Sequence, residues 1–154
     1  MMKRVLLTGM SGTGKSSLIA ELAARGYRAV DTDEPGWSEC GPDGYWRWCE
    51  DRIVELLSIE DGEALFLSGC AENQVKFYPR FDHIVLLSAP AEVILHRLAT
   101  RTNNPYGKHP DEVAAVLGYL ETVEPLLRRT AGHEIDTRMP LDDVVATLLS
   151  IVKG

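Results

Sequence analysis

Apolar residues recur along the chain in two rhythms, and each rhythm predicts a type of element. Short apolar runs at Val5-Leu6-Leu7, 27–30, 64–67 and 84–87 read as buried strands, with Glu134-Ile135-Asp136 as a short fifth. Between them the spacing widens to that of a helix. Leu18, Ile19, Leu22 and Ala23 share one helical face, and Gly26 is placed to end that helix, with Arg25 in its last turn. Tyr45, Cys49, Ile53 and Leu56 form a second stripe, widened by Trp46, Trp48 and Leu57, which predicts a helix over 45–58. Arg47 lies opposite that stripe, and Glu50 follows three residues on along the polar side. Pro90 opens a helix with Val93, Ile94 and Leu98 toward the core and Arg97 and Arg101 on another face. A helix from 111 to about 127 should kink or end at Pro125, and the last helix carries Val144, Val145, Leu148, Leu149 and Val152 on one face. Residues 34–44, with two prolines and three glycines, read as loop, and so does "TNNPYGKHP" at 102–110.

Strands alternating with helices imply an α/β three-layer sandwich around a parallel sheet. In such sheets ligands bind beyond the carboxyl ends of the strands. Three motifs follow strands here: a glycine loop from Gly9, the carboxylates of Asp31-Thr32-Asp33, and Ser68-Gly69-Cys70. They are expected to meet on one rim.

The glycine loop carries the strongest chemistry. In "LLTGMSGTGKSSL", Gly9, Gly14, Lys15 and Ser16 have the spacing G-x-x-x-x-G-K-[ST]. Gly9, Gly12 and Gly14 let successive backbone amides of Gly9, Met10, Ser11, Gly12, Thr13, Gly14, Lys15, Ser16 and Ser17 turn inward on phosphates, helped by the start of a helix. Lys15 is expected to reach the β- and γ-phosphates and the Ser16 hydroxyl to bind magnesium (Mg²⁺). Asp31 and Asp33, two residues apart after a strand, suit metal-bound water and an acceptor hydroxyl; an Asx-rich turn with solvated carboxylates is the plainer reading. Ser68-Gly69-Cys70, at the end of the third strand, offers no acid for magnesium, which raises the burden on Asp31 and Asp33. Arg97 and Arg101 lie one turn apart and feed a turn-rich excursion, 101–111, which reads as a lid over transferring phosphate. Arg47 is a candidate fork for an acceptor anion, or else a solvated partner of Glu50.

Composition narrows the class. The 154 residues are 45% hydrophobic and 25% charged, which predicts one ordinary globular domain over 1–154. A net charge of −7 argues against nucleic-acid or anionic-membrane partners. Cys40, Cys49 and Cys70 form no metal or disulfide pattern and read as reduced thiols. The apolar run after Lys3-Arg4 stops at Leu7, short of a signal-peptide core, and no later run approaches a membrane span. The expectation is a cytoplasmic protein, monomeric or weakly dimeric.

These motifs resemble those of the small P-loop kinases, the group that holds shikimate, gluconate and adenylate kinases. The likeness rests on "GMSGTGKSS", on Asp31-x-Asp33, on Trp46-Arg47-x-x-Glu50, on the excursion flanked by Arg97 and Arg101, and on Glu124-Pro125-Leu126-Leu127. It implies a five-stranded parallel sheet of order 2-3-1-4-5, an acceptor-binding region over 34–62, ATP as donor and Mg²⁺ as cofactor. It also implies that Arg97 lies by the adenine or γ-phosphate, that Arg138 and Pro140 flank the adenine, and that Asp33, Arg47 and Gly69 meet a small-molecule acceptor. Ser68-Gly69-Cys70 stands where shikimate kinases have three glycines, and Val123 where they have an arginine, so the acceptor is expected to differ from shikimate. The expected activity is ATP-dependent phosphoryl transfer to a small polar metabolite or nucleotide. A nucleotide-binding module without catalysis is the alternative. A GTPase-like switch fits poorly: Asp33-Glu34-Pro35-Gly36 lies too close behind the loop, and no guanine signature N-K-x-D occurs.

Overall fold

The computed structural model describes residues 2–60, 62–102 and 106–153. In chain order the elements are β1 (Lys3–Thr8), α1 (Lys15–Ala24), β2 (Arg28–Asp31), β3 (Ser38–Cys40), β4 (Trp46–Trp48), α2 (Glu50–Leu57) and β5 (Ala64–Ser68). A 3₁₀ helix (Gln74–Arg80) leads to β6 (His83–Ser88), α3 (Ala91–Thr100), α4 (Pro110–Thr122), α5 (Glu124–Thr130), β7 (His133–Asp136) and α6 (Leu141–Lys153). Five strands form a parallel sheet in the order β2-β5-β1-β6-β7. Counted over those five strands alone, this is the expected order 2-3-1-4-5.

Alternation along the central strands builds a core on each face of the sheet. Val5 and Leu7 of β1 and Phe66 of β5 pack with Leu18 and Leu22 of α1 and with Val145 and Leu148 of α6. Leu6, Leu65 and Leu67 point the other way, to Ile53 and Leu57 of α2 and to Trp48 and Phe77. Each such side chain, removed from water, contributes about 1.5–3 kcal/mol of transfer free energy. Burial on both faces is why these strands read as unbroken apolar runs. Helix α1 ends as expected: Gly26, at φ +92°, lets its own N–H reach Ala23 O and that of Tyr27 reach Leu22 O. The expected helix from 111 breaks at Val123, two residues before Pro125, into α4 and α5.

Two expectations fail. Residues 34–44, read as loop, contain β3 at 38–40, and the helix predicted over 45–58 begins only at Glu50, with residues 46–48 forming β4, paired antiparallel with β3. Trp46-Arg47-Trp48 alternates with a period of two, and Gly41 with Gly44 closes the connection: Gly41 N–H bonds Tyr45 O at 2.9 Å and Gly44 N–H bonds Gly41 O at 3.0 Å. Glu50 and Asp51 then occupy the first turn of α2, where the dipole favours acids. The apolar stripe ran across this junction and concealed it.

Register places the strand ends together. Leu7 and Asp31 both align with Ser68, Thr8 aligns with Leu86, and Ser88 aligns with Asp136. No helix among the described residues is long and apolar enough to cross a membrane.

Candidate active site

The loop from β1 to α1 is shaped by close approach. A Cβ on Gly9 would stand 2.5 Å from Leu87 O and 2.9 Å from Thr13 Oγ1, so only glycine fits there. Gly14, at φ +97°, makes the left-handed step that launches α1. Met10 is buried against Leu86 and Leu127, and Thr13 Oγ1 donates to Met10 O at 2.7 Å. Ser11, Ser16 and Ser17 are exposed on the loop and first turn. Lys15 folds over the loop and donates from Nζ to Gly9 O at 2.7 Å and to Met10 O at 3.0 Å. Its residue keeps some surface, yet burial of the ammonium pushes its pKa down, against the pull of Cys70, Asp33 and Asp31.

Asp31 and Asp33 face this lysine. Between them Thr32 is buried, accepting from Trp48 Nε1 at 3.0 Å and donating to Ser68 O at 2.8 Å. Asp31 Oδ2 accepts from Ser16 Oγ at 2.6 Å, and Asp31 Oδ1 accepts the Asp33 N–H at 2.9 Å. Asp33 is open to the cleft, but the protein around it pushes its pKa up; Lys15 opposes that rise, Asp31 adds to it and Arg101 opposes it. Arg101 therefore comes across from α3 to the same neighbourhood, held by a bond from Nη2 to Tyr106 O at 2.8 Å. Burial pushes its pKa down and Asp33 pulls it up.

Arg97 is tied into the loop's support. Its Nη1 donates to Gly12 O at 3.1 Å and to Thr137 Oγ1 at 2.9 Å, and its Nη2 to Thr137 O at 2.7 Å. Thr137 in turn donates to Thr13 O at 2.8 Å. Arg138 is exposed and pairs with Asp136 at 2.7 Å, while Pro140 precedes α6. Of the predicted lid over 101–111, positions 103–105 lie outside the described residues; Lys108 Nζ caps Ala99 O at 2.8 Å.

The opposite rim is polar and tightly braced. A Cβ on Gly69 would collide with Thr32 Oγ1 and stand 3.1 Å from Trp48 Nε1, so the backbone must be bare where the β3–β4 hairpin docks. Arg47 does not pair with Glu50. Its Nη1 and Nη2 fork onto Asp43 at 3.0 and 2.6 Å, and its Nε meets Glu72. Glu50 instead accepts from Asn73 at 2.9 Å and Lys76 at 3.0 Å. The Cys70 thiol bonds Thr8, and burial pushes its pKa up against the pull of Lys15.

Sequence reasoning passed over two residues of this brace. Asn73 is buried and bonds Trp48 through both N–H and carbonyl, at 2.8 and 3.1 Å. Gln74, also buried, accepts the Ala71 N–H at 2.9 Å and donates to Thr8 Oγ1 at 3.1 Å. Two amides just after a glycine rim were the available signal. A concavity of about 680 Å³ lies at the other end of the sheet by Arg25, Tyr27 and Glu63, away from every one of these groups.

A family model described as an AAA domain matches residues 5–118. The chain belongs to that family. The region includes the glycine loop, both aspartates, Arg47, Arg97 and Arg101. The fold is that of shikimate kinases and other small P-loop kinases. Shikimate kinase from Acinetobacter baumannii superposes with a TM-score of 0.72 at 22% identity, over 99% of this chain and 94% of that one. The shikimate kinase of Bacteroides thetaiotaomicron gives 0.70 at 20% identity, over 99% of both chains. A sugar kinase from Janibacter sp. gives 0.59 at 19% identity, over 99% of this chain and 95% of that one. Among curated proteins, HPr kinase/phosphorylase of Xanthomonas campestris pv. campestris is 40% identical over 55 residues. That match spans 36% of this chain and 17% of the relative.

Proposed function

We propose that this chain is an ATP-dependent kinase of a small hydroxyl compound. The observation that carries the reading is one neighbourhood beside the glycine loop: Lys15 folds over that loop, Asp31 bonds Ser16 at 2.6 Å, and Lys15 and Asp33 each feel the charges of Asp31 and Arg101. Phosphoryl transfer needs that set: cations for the equatorial oxygens and a carboxylate for the incoming hydroxyl.

The glycine loop would cradle the phosphates with its amides, and Lys15 would leave the carbonyls of Gly9 and Met10 for the β- and γ-phosphates. The acceptor hydroxyl oxygen attacks the γ-phosphorus, a new O–P bond forms, and the bond to the β,γ-bridging oxygen breaks to release ADP. The hydroxyl proton passes to a carboxylate oxygen of Asp33, whose raised pKa suits it to hold that proton. Arg101 steadies charge on the transferring group. Arg97 acts through Gly12 and Thr137 and positions the loop. Ser16 Oγ and Asp31 Oδ2, 2.6 Å apart, are hard oxygens of the kind that Mg²⁺ takes, and they would hold it. Bound there, Mg²⁺ would neutralise charge on the donor's phosphates.

The test is ATP consumption across a panel of hydroxyl metabolites, run beside thermal shift with a non-hydrolysable ATP analogue and Mg²⁺. A true acceptor should add stabilisation beyond the nucleotide alone and release ADP. Tight nucleotide binding with no transfer to any acceptor would instead make the chain a binding module.

A further inference from the structure

Charge is segregated along this chain. Of its 23 acidic and 16 basic side chains, nine acidic and two basic fall in residues 31–60, a net −7 that equals the charge of the whole chain. Residues 31–60 contain Asp31, Asp33, the hairpin and α2, one wall of the proposed cleft. The wall that faces the donor carries Lys15, Arg97 and Arg101.

The two cations of the acidic wall are already engaged. Arg52 donates to Gly36 O at 3.0 Å and stacks on the Trp37 ring, 4.4 Å from its centroid. Arg47 is forked by Asp43 and capped by Glu72, which lies two residues beyond Cys70 on the rim of β5. These two carboxylates fill the positions that an acceptor's own carboxylate or phosphate would take on a guanidinium. A third anion brought there would meet Asp43 and Glu72 at close range.

Resting on the kinase reading above, we infer that the acceptor carries no negative charge. Its hydroxyl belongs to a neutral or amine-bearing small molecule rather than to an acid or a phosphate ester. An anionic donor and a non-anionic acceptor then sort themselves to opposite walls before any specific contact forms.

The experiment compares related sugar derivatives of different charge, such as glucosamine, glucose, gluconate and glucose 6-phosphate, extended to the best scaffold found. ADP release and thermal shift with the non-hydrolysable analogue are read in parallel, so charge preference is scored even where no phosphate moves. The amine-bearing and neutral forms should exceed their anionic counterparts at least about tenfold in kcat/KM or in Kd. Salt should weaken the amine-bearing form and leave the neutral one unchanged. The double variant D43N/E72Q, which frees Arg47, should narrow the gap by improving the anionic forms. A preference for the anionic member, an equal response to all members, or a gap unmoved in that variant would overturn the inference. Binding with the expected charge order but no ADP release would leave it standing and remove the kinase reading instead.

Discussion

The two walls of the proposed transfer cleft are built by different means. The donor wall is made of backbone: the glycine loop closes onto Leu87, Met10 and Thr13, and side chains only reinforce it. The acceptor wall is made of side chains, with Asn73, Gln74, Thr32 and Trp48 holding a short hairpin against a bare glycine. Backbone amides recognise any phosphate, whereas a wall of side chains can be rewritten residue by residue while the fold stays fixed. That difference explains why a small fold can keep one donor site and change its acceptor.

Four substitutions probe the contrast, in order of expected effect. Lys15→Ala should lower turnover on the order of 100- to 1,000-fold. The loss should be the same for every acceptor, since the donor wall is common to all; steady-state kinetics on two acceptors checks this, with circular dichroism to confirm folding. Asp33→Asn should cost on the order of 100-fold in turnover. In the wild type, kcat/KM should fall on the acid side, with a midpoint above the ordinary carboxylate range, because burial raises this pKa. The same substitution should raise Tm at neutral pH. A carboxyl whose folded pKa is raised binds more protons folded than unfolded, so stability declines as pH rises through that window and a neutral amide escapes the decline. The gain should vanish once the pH falls below the window, which thermal melts at several pH values would show.

Asn73→Ala removes a buried amide that bonds both sides of Trp48 and should cost about 1–3 kcal/mol in denaturant unfolding. It should raise KM for the acceptor more than KM for ATP; equal rises would mean the walls are not independent. Ser68→Ala should matter least. The Ser68 hydroxyl is fully buried with no hydrogen-bond partner among the described residues, so its removal should change stability by less than about 1 kcal/mol or raise it.

The sheet was legible in the sequence because its strands are apolar on both faces and each ends at a motif. Val5-Leu6-Leu7 feeds Gly9, and the strand ending at Asp31 feeds Asp33, so the glycine loop and the aspartates that face it could be placed from local spacing. The hairpin could not. Trp46 and Trp48 fit both a helical stripe and a two-residue alternation, and the choice was made by the Gly41–Gly44 turn and by docking on Gly69, a contact remote in sequence. The pairing of Arg47 turned on the same choice, since a helix would bring it to Glu50 and a strand brings it to Glu72. Asn73 and Gln74 went unnoticed because an amide's role depends on what it bonds, and their partners are Trp48 and Thr8. The acidity of residues 31–60 was in plain view, but it gained meaning only once those residues formed one wall.

Thr137 gives the fold an order in time. Its hydroxyl bonds the carbonyl of Thr13, 124 residues earlier, and it accepts from Arg97, which holds Gly12. The glycine loop leaves the ribosome well before the residue that braces it. Until β7 docks, the nascent chain carries a phosphate loop without its keystone. Nucleotide affinity should therefore appear late in synthesis, after most of the sheet has formed. A released chain truncated before residue 137 should bind nucleotide weakly, and one that runs through α6 should bind it fully.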